Sequence, residues 1–160
     1  MTLGLFNFGK AEEKKSGLTV LELQDIKVAL PSVDKYEAIR MAGEMLLAKG
    51  CVAPEYIEAM VERENVTTTY IGDGVAIPHG VGTSKQYIKK TGLVVLQFQD
   101  GVDFDGEKAY IIVGIAGQDG EHLPILTALA KVIMKKEKFA PLKSTHDPSV
   151  IYRTFVQQEQ

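Results

Sequence analysis

Two stretches, Gly92-Leu93-Val94-Val95-Leu96-Gln97-Phe98 and Tyr110-Ile111-Ile112-Val113-Gly114-Ile115-Ala116, decide the fold. Each is a nearly continuous apolar run, the pattern of a central strand covered on both faces and not of one with a face in water. Such strands need helices around them. Upstream, Tyr36, Ile39, Gly43 and Leu46, with Ala38, Ala42 and Met45, recur at helical spacing, which predicts a helix over residues 33–49. Ser32 is placed to cap it and Gly50 to stop it. A second helix is expected from Pro54, with Ile57, Met60 and Val61 inward and Glu55, Glu58, Glu62, Arg63 and Glu64 outward. Downstream, Leu123, Leu126, Leu129, Ala130 and Ile133 are expected as the buried stripe of a third helix, capped by Asp119 and running to about Lys135, and Asp147-Pro148 opens a last one. Residues 18–30 partly alternate and end at Pro31, predicting one or two short strands. Thr67-Thr68-Thr69-Tyr70-Ile71 and Val75-Ala76-Ile77 flank the turn Gly72-Asp73-Gly74 as further extended runs. The resulting expectation is an α/β fold with a mixed central sheet and helices on both faces.

The chain has 160 residues, which favours one domain with a sizeable core. Residues 1–17 end in the mixed-charge run Lys10-Ala11-Glu12-Glu13-Lys14-Lys15-Ser16-Gly17 and read as a flexible N-terminal extension, leaving 18–160 as the domain. Hydrophobic residues make up 45% and charged residues 24%, too apolar for a disordered chain. With 18 Lys and Arg against 21 Asp and Glu, the formal charge of −3 carries no basic footprint for nucleic acid. Cys51 is the single cysteine, which excludes an internal disulfide and a thiolate zinc site and suits a reducing compartment. The N-terminus has no basic region ahead of its short apolar stretch, and no run approaches the roughly 18 apolar residues that span a bilayer. A soluble, cytoplasmic protein is expected.

Chemistry gathers at three residues. His79 lies in Ile77-Pro78-His79-Gly80, directly after an expected strand, where proline fixes the backbone before the ring and glycine allows close approach after it. Ligand sites of α/β sheets gather outside strand ends. The alternative is an inert loop histidine. His122, in Asp119-Gly120-Glu121-His122-Leu123-Pro124, falls in the first turn of the third helix, where unpaired amides favour an anion. It either hydrogen-bonds a phosphoryl oxygen or merely packs and caps. Arg63 is either one member of a charged helix face or an anion clamp, since a guanidinium fork matches phosphate oxygens. His146 reads as a solvated loop residue and Cys51 as a small core residue. The pattern lacks the third glycine of a dinucleotide fingerprint, a phosphate-binding Gly-Lys-Ser/Thr, a second histidine four residues from His122 and a Gly-x-Ser-x-Gly elbow. No nucleotide cofactor, metal or hydrolase triad is indicated.

Tyr56-Ile57-Glu58-Ala59-Met60-Val61-Glu62-Arg63-Glu64, followed by Thr69-Tyr70-Ile71-Gly72-Asp73-Gly74-Val75-Ala76-Ile77-Pro78-His79-Gly80, resembles the enzyme IIA component of the bacterial phosphoenolpyruvate-dependent sugar phosphotransferase system (PTS), mannitol/fructose type. The resemblance covers about Leu18 to Val156. Lys90-Thr91-Gly92-Leu93-Val94-Val95-Leu96, Asp100-Gly101-Val102-Asp103-Phe104 and Ile112-Val113-Gly114-Ile115-Ala116-Gly117 through Glu121-His122-Leu123 look most like the mannitol branch. Pro141 falls where that family has an uninterrupted short helix. The resemblance implies a phosphocarrier: His79 takes a phosphoryl group at Nε2 from phospho-HPr and passes it to a cysteine of the mannitol enzyme IIB. Arg63 and His122 then stabilise the group, with no metal or cofactor. With no IIB cysteine signature and no membrane-spanning IIC stretch in the sequence, a free-standing IIA subunit is expected. A fructose-type IIA and a regulatory IIA-like protein, signalling through the phosphorylation state of His79, remain open. The acceptor that fixes the His79 tautomer is not named by the sequence.

Overall fold

The computed structural model describes residues 17–157, so the expected N-terminal extension lies outside the described residues apart from Gly17. Strands β1 (Ile26–Leu30), β2 (Tyr70–Gly72), β3 (Val75–Ala76), β4 (Gly92–Phe104) and β5 (Glu107–Ala116) form a five-stranded sheet in the order β1-β4-β5-β3-β2. The β4–β5 hairpin is antiparallel, β1 runs parallel to β4 and β3 parallel to β5, and β2 pairs antiparallel with β3. The sheet is therefore mixed. Helices α1 (Lys35–Ala48) and α2 (Glu55–Val66) cover one face; α3 (His122–Met134), α4 (Lys136–Phe139) and α5 (Pro148–Val156) cover the other.

Alternation along the central strands fills two cores. Leu93, Val95, Ile111, Val113 and Ile115 point to the α3–α5 side, with Ile125, Leu129, Ile151 and Phe155. Val94, Leu96, Phe98 and Ile112 point to the α1–α2 side, with Ile39, Ala42, Leu46 and Met60. The near-continuous apolar runs thus serve two layers, and each fully buried large side chain contributes on the order of 2 kcal/mol.

Four local expectations are corrected, the first being that Leu123 and Ala130, expected in the buried stripe of the third helix, are exposed on α3. Residues 18–30 hold one strand, within the one or two expected: 3₁₀ turns at Gly17–Val20 and Leu23–Asp25 precede β1. The second turn is closed by the Asp25 carboxylate, which accepts the Glu22 N–H at 2.8 Å and pairs with Lys49. The cap of α1 is Asp34, accepting the Glu37 N–H at 3.0 Å, whereas the Ser32 hydroxyl donates to the Gly101 carbonyl. Pro54 occupies the cap position of α2, one residue before its first helical residue. Asp119 does not cap α3, whose cap is Glu121; its carboxylate meets Lys85 at 3.1 Å instead. Asp147 caps α5 as expected, accepting the Ser149 N–H at 2.9 Å with Pro148 behind it. At Pro141 the chain changes from α4 to the 3₁₀ turn Ala140–Lys143, because proline has no N–H to continue the α-helical ladder.

Candidate functional site

The site forms where the C-terminal end of β3 meets the ends of two helices. Past β3 the chain keeps to the edge of β5: the Ile115 N–H donates to the Pro78 carbonyl at 3.0 Å, and His79 bridges Ile115 in parallel register. The next amide, Gly80 N–H, donates to the Tyr56 hydroxyl at 2.9 Å, and that hydroxyl donates to the Ile115 carbonyl at 2.8 Å. Tyr56 is buried, and loss of solvent pushes its phenol up to about 12, so it stays a neutral two-way bridge. A Cβ on residue 80 would stand 2.3 Å from Ser84 Oγ and 2.6 Å from Tyr56 Cε1, which explains the glycine after the histidine. Gly117 likewise lets the start of α3 close in, since a Cβ there would come within 2.9 Å of His122 Cα.

The His79 ring is fixed by its own strand. Nδ1 lies 2.7 Å from the Ile77 carbonyl oxygen. A carbonyl only accepts, so Nδ1 carries the proton and Nε2 keeps its lone pair. Burial holds this imidazole below the ordinary histidine range, opposed by the Ile77 carbonyl and the Glu64 carboxylate and reinforced by His122 and Arg63, so the ring is neutral at neutral pH. His122, the first residue of α3, stands with its ring centroid 5.0 Å from that of His79 at an interplanar angle of 52°. Burial, helped by the Lys85 cation, also lowers its pKa. Arg63 sits in the last turn of α2, where Nη1 donates to the Thr67 carbonyl at 2.7 Å and anchors one corner of the fork.

His79, His122 and Arg63 line one cavity of about 230 Å³, with Tyr56, Ser84 and Lys85. The three residues singled out from sequence are thus brought together. His146 is exposed and does not line it; Cys51 is buried, its thiol pushed up by loss of solvent, and belongs to the core. Among the described residues no group of His, Cys, Asp or Glu is placed to hold a metal ion, and no helix is long and apolar enough to cross a membrane. Tyr56 went unnoticed in the sequence as a site residue, although its spacing of seven from Arg63 puts both on one face of α2. Ser84 and the Ile77 carbonyl carry no such signal.

An imidazole with one nitrogen committed to a carbonyl, set beside a second imidazole and a guanidinium in one cavity, has the chemistry to accept a small oxyanionic group. Residues 19–158 match the family described as "Phosphoenolpyruvate-dependent sugar phosphotransferase system, EIIA 2", and the chain belongs to that family of phosphotransferase components. It is 43% identical over 126 residues to the mannitol-specific phosphotransferase enzyme IIA component of Halalkalibacterium halodurans, covering 79% of this chain and 87% of that protein. It is 38% identical over 132 residues to the mannitol-specific EIICBA component of the PTS of Pasteurella multocida, where the match takes in 80% of this chain but 21% of the longer protein. Among solved structures, the complex of enzyme IIA-Mtl with phosphorylated enzyme IIB-Mtl from Escherichia coli superposes with a TM-score of 0.80 at 33% identity, covering 86% of this chain and 97% of that one.

Proposed function

We propose that this protein is the mannitol phosphocarrier of a phosphotransferase system and that His79 is its phosphoryl acceptor. The observation that supports the reading is the Nδ1 contact to the Ile77 carbonyl, which leaves Nε2 as the nucleophile. The Nε2 lone pair attacks phosphorus on the phosphohistidine of HPr, the donor P–N bond breaks, and its electron pair returns to the donor ring. The positive charge that develops on the His79 ring is met at Nδ1–H by Ile77. Transfer to a cysteine thiolate of enzyme IIB reverses the change: a P–S bond forms, the P–N bond breaks and Nε2 regains its lone pair. Phosphoryl transfer has a loose transition state, so positioning and charge stabilisation supply the catalysis. Arg63 and His122 give that stabilisation around the phosphoryl oxygens.

Likeness to mannitol-specific IIA components supports mannitol as the sugar, and the relative solved with phosphorylated enzyme IIB supports a IIB partner. The protein acts in the cytoplasm as a domain spanning 18–160, beside a IIB and IIC permease. The test is transfer of labelled phosphate from phosphoenolpyruvate through enzyme I and HPr, chased with mannitol and fructose IIB domains. Label on His79 discharged by the mannitol IIB is the expected result. Discharge by the fructose IIB alone assigns the other sugar, label discharged by neither favours the regulatory role, and an unlabelled protein overturns the assignment.

A further inference from the structure

We propose that Glu64 is a positioning residue for His79, holding the Ile77 carbonyl where it fixes the Nδ1–H tautomer; this rests on the reading of His79 as the phosphoryl acceptor. Glu64 follows Arg63 in α2, yet it is only 3% exposed. Its Oε1 accepts the Thr69 N–H at 2.8 Å and the Thr69 hydroxyl at 2.7 Å. Its Oε2 accepts the Thr68 hydroxyl at 2.6 Å and lies 3.3 Å from Lys35 Nζ. Thr68 Oγ1 in turn accepts the Tyr70 N–H at 3.2 Å, so one carboxylate gathers the backbone from 68 to 70. The Thr69 carbonyl then accepts the Ile77 N–H at 3.0 Å, and the Ile77 carbonyl accepts His79 Nδ1–H at 2.7 Å.

The sheet alone holds this edge weakly. Strands β2 and β3 share the pairs Tyr70–Ala76 and Gly72–Val75, with an irregular register between them. A buried carboxylate is costly to desolvate, and a purely packing role at this position is met better by an apolar side chain. What a carboxylate adds is acceptor capacity: it receives donors from Thr68, Thr69 and Lys35 at once. Fixing Thr69 fixes the partner of Ile77, and with it the acceptor that decides which nitrogen of His79 is nucleophilic.

The test compares ¹⁵N ring shifts of His79 with its phosphorylation rate by phospho-HPr in the full chain. In Glu64→Gln the amide nitrogen accepts nothing, so one anchor is lost whichever way the group turns. The expected result is a folded protein in which the Nε2–H tautomer of His79 becomes populated and phosphorylation slows roughly tenfold, the equivalent of one net hydrogen bond. Ile151→Val, a core loss on the opposite face of the sheet, leaves the tautomer unchanged. Should Glu64→Gln not fold, Thr68→Val at an exposed position removes the hydroxyl link to Tyr70 and is expected to shift the tautomer in the same direction. Folded Glu64→Gln, or in its place Thr68→Val, with the wild-type tautomer and rate overturns the positioning role. An Nε2–H wild-type ring does so as well. A wild-type protein that phospho-HPr does not label at His79 instead overturns the phosphocarrier reading, whatever the tautomer.

Discussion

The rings of His79 and His122 stand 5.0 Å apart and tilted by 52°, close enough to share a bound group without stacking on each other. Burial keeps both rings neutral near pH 7, so no like-charge repulsion acts between them. On the proposed reading one ring attacks and the other donates to a phosphoryl oxygen. His79→Ala is expected to abolish phosphate uptake, whereas His122→Ala is expected to slow it about 100-fold, the usual cost of losing one transition-state donor. Rapid-quench labelling by phospho-HPr measures both, with circular dichroism confirming that each variant folds. Labelling of His79→Ala at the wild-type rate would show that the acceptor lies elsewhere.

Arg63 combines two tasks, since Nη1 secures the Thr67 carbonyl while the guanidinium lines the cavity. Lysine keeps the charge but not the planar fork. Arg63→Lys is therefore expected to fall between wild type and Arg63→Ala in phosphorylation rate, with the alanine variant slowed on the order of 100-fold. Equal rates for lysine and arginine would mean that charge alone matters at this position.

Tyr56 ties α2 to the strand end on which His79 sits. Tyr56→Phe preserves the ring and leaves the Gly80 N–H and the Ile115 carbonyl without their partner. The expected cost is about 2 kcal/mol in urea unfolding, together with slower phosphorylation, because the backbone beside His79 is released. A loss of stability at an unchanged phosphorylation rate would confine Tyr56 to the scaffold.

Much of this was legible in residue order and some was not. The two-faced strands are visible as nearly continuous apolar runs, and the helices by spacing. Their caps are less so, because Ser32 and Asp34 offer similar acceptors within one turn, and α3 begins after Glu121 with no side-chain cap, the Glu121 carboxylate accepting the Thr91 hydroxyl instead. His79, His122 and Arg63 each carried a local signal. Glu64 did not: within Glu62-Arg63-Glu64 nothing local distinguishes the carboxylate that turns inward, which follows from where β2 leaves α2. The acceptor for Nδ1 is a main-chain atom two residues away, invisible to side-chain patterns.

Gln97 illustrates the same limit and gives a stability test. It interrupts the apolar run of β4, and its side chain donates to the carbonyls of Leu142 at 2.7 Å and Thr145 at 2.6 Å while accepting the Ala29 N–H at 2.7 Å. It thereby fastens β1 and the segment after α4 to the central strand. Gln97→Leu is expected to lower unfolding stability by about 3 kcal/mol, because three main-chain groups lose their partner and one unsatisfied buried group alone costs ~1–3 kcal/mol. Phosphorylation of the folded fraction is expected to stay at the wild-type rate, since Gln97 does not line the site. Thermal and urea unfolding measure the first expectation and labelling the second.

The depressed pKa values of His79 and His122 set a pH window for both stability and transfer. Burial is the leading cause at each ring; at His79 the Ile77 carbonyl and the Glu64 carboxylate work against it, and His122 and Arg63 with it, while at His122 Lys85 adds to it. In the unfolded chain each ring takes its proton near the ordinary value of about 6.5. In the fold it does so only at lower pH. Between the two values the unfolded state binds more protons, so unfolding free energy rises with pH there. The contribution is fully present above pH of about 6.5 and is lost as pH falls through the folded pKa. Urea unfolding at successive pH values is expected to show a shallower acid loss for the His79→Ala, His122→Ala double variant than for wild type. NMR titration is expected to place both ring midpoints below about 6.5. Phosphorylation is accordingly expected to persist below that pH and to fail only where His79 itself protonates; a His79 midpoint at or above the ordinary value would contradict its burial as the controlling influence.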